Sequence, residues 1–83
     1  MYKNQNRFGI VKHEVISDPS VSIGAKALYS LLCCYADKQR QCWPSISTLA
    51  DHLDTSQSSV NRWIKELKLN KYIRRIGNKL TVI

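Results

Sequence analysis

Between Ser56 and Lys79 the sequence gathers side chains of two separate chemistries, planar hydrogen-bonding groups and cations. Gln57, Ser58, Asn61 and Arg62 bear the amide, hydroxyl and guanidinium groups that pair with base edges. Asn and Gln match adenine bidentately and Arg matches guanine. Lys65, Lys68, Arg74, Arg75 and Lys79 bear the cations that meet phosphates, and a helix N-terminus at Ser56 offers backbone N–H groups for the same purpose. The spacing of the first group gives it meaning: at 100° per residue, positions 57, 58, 61, 62 and 65 share one side of a helix, and Val60, Trp63, Ile64 and Leu67 share the other. One face is built for a core and the other for a polar partner, and on this pattern Trp63 is expected inside.

The charge distribution agrees. Of the formal net charge of +7 on 83 residues, residues 1–20 hold +1 and residues 21–55 are neutral. Residues 56–83 hold +6, because Arg62, Lys65, Lys68, Lys71, Arg74, Arg75 and Lys79 are opposed only by Glu66. So polarised a chain is expected to meet a polyanion.

Other chemistries find little support. Cys33, Cys34 and Cys42 are odd in number and lack C-x-x-C spacing, and His13 and His52 lie far apart, so structural thiols are expected and neither a metal nor a cofactor. Asp51-His52 beside Asp54 is the one patch that suggests catalysis, and His52 next to a turn reads more simply as a surface residue. Neither an enzyme nor a small-molecule substrate is expected. The apolar run Ala27–Ala36 is half the about 20 residues that a bilayer span requires, and the polar start MYKNQNRFGI has no signal-peptide pattern, so no membrane partner and a cytoplasmic address are expected.

Elements that position these residues follow from caps, periodicity and turn residues. Eighty-three residues make one small domain, which buries only roughly 60% of its unfolded surface. Residues 1–16 read as an extended N-terminal arm or short strand, bearing Lys3 and Arg7. Ser22 caps a first helix over 22–37, with Ile23, Ala27, Leu28, Leu31, Leu32, Cys34 and Tyr35 on its apolar side. Cys42-Trp43-Pro44 is extended, since the residue before proline avoids the helical region. A second helix over 45–53, capped by Ser45 or Ser47, repeats Ile46, Leu49, Ala50 and Leu53. After a break at Asp54-Thr55, where a left-handed residue is needed, Ser56 caps a third helix over 56–69 that stops at a left-handed Asn70. Two β-rich runs around Gly77-Asn78 make a hairpin over 72–83. With Gly77 and Asn78 as the turn, Ile73, Leu80 and Val82 face inward, Arg74 points outward with Thr81, and Arg75 lies on the inner side. The chain stops at Ile83 within the last run, which predicts a domain excised from a longer protein.

Two short helices joined by a tight break, then a basic hairpin, predict a mainly α fold with a small β-hairpin: a three-helix core and a C-terminal wing. The residues Ser22-Ile23-Gly24-Ala25-Lys26-Ala27-Leu28-Tyr29, Cys42-Trp43-Pro44-Ser45, Leu49-Ala50, Ser56, Val60 and Ile64-Lys65-Glu66-Leu67 with Tyr72-Ile73 carry a resemblance over residues 8–76. The chain resembles the winged helix-turn-helix domains near the N-termini of phage and plasmid replication proteins and related mobile-element DNA-binding proteins. Asp54 stands where such domains usually have a turn glycine, and Asn70-Lys71 where they usually have one before the wing. The resemblance implies double-stranded DNA as the partner, in replication initiation or DNA processing of a mobile element. Transcription regulation through the same binding mode and a protein-binding winged helix are the alternatives, and a homodimer or further domains of a longer chain are open as additional partners.

Overall fold

The computed structural model describes residues 10–83, in the order α1 (His13–Ile16), α2 (Ile23–Tyr35), β1 (Gln41–Cys42), α3 (Ile46–His52), α4 (Gln57–Leu69), β2 (Ile73–Ile76) and β3 (Lys79–Val82). Helices α2, α3 and α4 surround one core, and the three strands form an antiparallel sheet in the order β1-β3-β2.

The expected arm or strand is corrected at its described end. His13–Ile16 winds into a single helical turn, closed by the Ser17 N–H and hydroxyl, both of which donate to the His13 carbonyl. One fully buried side chain, Val15, anchors it, so the local hydrogen bonds are met without a strand partner. The remainder of that arm, with Lys3 and Arg7, lies outside the described residues. Asp18 follows as a tie point: its carboxylate accepts from the Ser20 N–H and hydroxyl and from the Tyr72 hydroxyl, fastening the approach to α2 onto the start of β2. These bonds, the Tyr72 one foremost, hold the Asp18 carboxyl below its ordinary range.

Ser22 caps α2 as expected, accepting from the Ala25 N–H at 3.2 Å. The buried face is rotated from the expected one. Ala25, Leu28, Tyr29, Leu32 and Cys33 point inward, and Ile23 and Ala27 are turned away from the centre of the core, Ile23 being 86% exposed. The run after Ala27 is apolar almost all round, so no polar boundary in the sequence marked the face. Packing decides it, through Gly24: a Cβ built there would lie 2.1 Å from two indole carbons of Trp63. The same contact corrects Trp63, which is half-buried at the margin between α2 and α4 and packs against the core without entering it.

Gly24→Ala must therefore displace the indole. A loss of about 1–3 kcal/mol in chemical unfolding is expected, as for overpacked sites. Adding Trp63→Ala should recover part of it, so the double variant should be more stable than the sum of the two single losses implies. Strictly additive losses would show that the contact does not set the approach of the two helices.

The sheet contains one strand that sequence periodicity did not announce. β1 pairs with β3 through Gln41↔Thr81 and Cys42↔Leu80, and β3 pairs with β2 in the expected register, from Ile73↔Val82 to Ile76↔Lys79. Gly77 has φ +59 at the first central position of the turn. Ile73, Leu80 and Val82 close the core from below. The end of α4 differs from expectation by one residue. Asn70 keeps φ −85 and its side-chain amide donates to the Glu66 carbonyl, while Lys71 takes the left-handed φ of +63. The Lys71 N–H then meets the Lys68 carbonyl and the Tyr72 N–H the Leu67 carbonyl, the double bond pattern of a Schellman stop. This mainly helical core with its small antiparallel sheet is a winged helix-turn-helix.

Candidate nucleic-acid interface

Ser45 caps α3, accepting from the Thr48 N–H at 3.1 Å, which places the helix start immediately after Pro44. Leu49 and Ala50 of α3 and Val60 and Ile64 of α4 are buried in the same core, and the small side chain of Ala50 permits close crossing. At the break, Asp54 adopts the left-handed φ of +53 that the turn was expected to need, and the Thr55 N–H returns to the Ala50 carbonyl at 3.0 Å. Ser56 then caps α4 through the Ser59 N–H at 3.2 Å. Local sequence thus fixes the angle at which α4 leaves the turn.

On α4, Val60, Ile64 and Leu67 are buried. Gln57, Ser58, Asn61, Arg62, Lys65 and Lys68 are all exposed, as is Ser56 at the cap. Ser58, Asn61, Arg62 and Lys65 line one shallow depression, so four of the expected contact residues form a continuous surface. Leu69, 77% exposed, ends this side of the helix.

Glu66 explains why that surface carries no acid, and its role was not read from the sequence. Its two carboxylate oxygens accept from the Ser22 N–H at 2.6 Å and the Ser22 hydroxyl at 3.0 Å. The single acid of the last third is therefore turned away from Arg62 and Lys65 and is engaged at the start of α2, where a negative charge is also favoured by the helix dipole. The capping role of Ser22 gave no signal of a partner 44 residues away.

The wing separates its basic residues. Arg74 is exposed on the outer face of the sheet opposite Thr81, and Lys79 shares that face opposite Ile76. Arg75 lies on the other face, opposite Leu80, yet it is exposed because its side chain runs past the core to the turn, where Nε donates to the Gly77 carbonyl at 3.2 Å. The structure thus brings Arg74 and Lys79 together and sets Arg75 apart.

Burial governs two of the three thiols. It raises the Cys33 thiol and pushes that of Cys42 up to about 11, so both are protonated, weak nucleophiles at neutral pH. Burial likewise pushes the Tyr29 hydroxyl up to about 12. Among the described residues no group of three His, Cys, Asp or Glu side chains could hold a metal ion, and no helix is long and apolar enough to cross a membrane.

A search of curated proteins returned no match. A family model described as a helix-turn-helix domain matches residues 22–73, from the cap of α2 through both helices of the motif to the first residue of the wing. That match covers well over half of the sequence and contains Ala50, Asp54 and Ser56, the residues that shape the turn. With a crossing helix, a left-handed turn and an amphipathic second helix in place, the chain belongs to the helix-turn-helix domain family, a DNA-binding architecture.

Proposed function

We propose that this domain binds double-stranded DNA sequence-specifically, with α4 in the major groove. The observation that carries this reading is the exposed, acid-free surface of Ser58, Asn61, Arg62 and Lys65 on a helix whose opposite face is fixed in the core. Gln57, Ser58, Asn61 and Arg62 read base edges, and Lys65, Lys68 and the Ser56 end of α4 meet phosphates. The resemblance to phage and plasmid replication proteins favours replication initiation or DNA processing of a mobile element as the process served.

Selection from a random duplex library, followed by titration of the selected and random duplexes over a range of salt, tests the reading. Affinity should fall steeply with salt on both duplexes and be higher for the selected one. Salt-independent or absent duplex binding would overturn the reading in favour of a protein-binding winged helix. A palindromic selected site would imply a two-fold dimer with half-sites about one helical turn apart.

The wing should add a sequence-independent grip. Arg74→Ala with Lys79→Ala is expected to weaken binding on all duplexes and to reduce the log-affinity against log-salt slope by about 0.9 for each phosphate that the pair neutralises. An unchanged slope would remove the outer face of the wing from the interface.

A further inference from the structure

Trp43 is 58% exposed, although it follows a buried strand residue and precedes a helix. Its place is not accidental to the backbone, since Cys42 is paired with Leu80 and Pro44 restricts the next step. Trp43, Pro44 and Ile46 form one side of a cleft of about 250 Å³, and Arg75, Asn78 and Leu80 of the wing form the other. This explains the separation of Arg75 from Arg74 and Lys79. The Gly77 carbonyl holds its Nε, which leaves the terminal guanidinium nitrogens for a ligand at the mouth of the cleft.

An apolar wall facing a fixed cation suits a ligand whose anionic and apolar parts alternate closely. From this geometry, and resting on the DNA-binding reading above, we propose that the cleft seats one sugar-phosphate unit of the duplex backbone. Arg75 takes the phosphate and Trp43 packs on the neighbouring deoxyribose. The cleft lies between the wing and the start of the first helix of the motif and shares no residue with the Ser58–Lys65 surface, so its backbone contact would be additional to those that α4 makes. The +6 charge of residues 56–83 favours this anionic occupant over an acid-poor peptide.

The two halves of the site should separate in titrations of random and selected duplexes. Trp43→Ala should weaken both by about five- to tenfold, the loss expected for uncovering roughly 50 Å² of apolar surface, with the salt slope unchanged. Arg75→Gln should weaken both and lower the slope by about 0.9. In a Trp63→Phe background, checked for normal melting, Trp43 is the sole indole, and saturating duplex should protect its fluorescence from acrylamide. Full binding with unprotected Trp43 and an unaltered Trp43→Ala affinity would overturn the cleft while sparing the DNA-binding reading. Tighter binding to single strands than to duplex, with Trp43 quenched, would replace the backbone contact by base stacking. Absence of duplex binding by the unaltered protein would overturn both.

Discussion

Arg62→Ala is expected to weaken binding to the selected duplex by roughly 5- to 150-fold, the range of about 1–3 kcal/mol that a bidentate base contact contributes to discrimination. Random duplex should lose less, because there the guanidinium meets only the general negative potential. Asn61→Ala should show the same preference for damaging the selected site, but with no change in salt slope, since the amide is neutral. Both side chains are exposed on α4, so neither change should move stability by more than about 0.5 kcal/mol. Fluorescence anisotropy measures the contrast at one fixed salt concentration and the slopes across several. Equal losses on both duplexes would reduce α4 to a phosphate contact and move the source of any sequence preference elsewhere.

Leu67→Ala should be the most damaging single truncation on α4, costing about 2–5 kcal/mol of stability. Leu67 has no exposed surface, and its carbonyl also receives the Tyr72 N–H that ends the helix. The whole domain has on the order of 4–12 kcal/mol available at this length, so the variant approaches the unfolding threshold at room temperature. Trp63→Ala removes more atoms yet should cost less than half as much, because its ring is half-buried at a margin that water refills, so no sealed void is left behind. Urea unfolding of the two variants decides the order. A larger loss for Trp63→Ala would place the indole in the core, where its helical spacing alone had put it.

That reversal shows which physical information a sequence holds. The turn between α3 and α4 was legible because its determinants are local: Ser45 and Ser56 cap their own helices, and Asp54 tolerates positive φ. The hairpin register was legible for the same reason, being set by two turn residues and an alternation of period two. The rotation of α2 was not, since a stretch that is apolar all round leaves its orientation to a tertiary contact between Gly24 and Trp63. β1 was too short for any alternation, and its strand character exists only through β3. At the candidate interface the exposure of Gln57, Ser58, Asn61, Arg62, Lys65 and Lys68 followed from the wheel. The removal of Glu66 from that face, and the division of Arg75 from its neighbours, depend on contacts that helical periodicity does not encode.

The central place of β3 in the sheet governs the order in which the molecule can assemble. Residues 79–82 are the last paired segment, yet both β1 and β2 form their ladders only with them, and the Val82 N–H also meets the Arg40 carbonyl at 2.8 Å. During synthesis, a nascent chain that has exposed residues 10–78 possesses every helix and neither half of the sheet. Contacts within each helix and across the α3–α4 turn close quickly because they are near in sequence, whereas the α2–α4 packing and the β1-β3 pairing must each close a loop of about forty residues. A ribosome-bound chain arrested before Lys79 emerges would hold the recognition surface of α4 on an incomplete core that lacks Leu80 and Val82. β3 thus completes the core, and a chain truncated after Asn78 should lose the cooperative melting transition that the 83-residue domain shows.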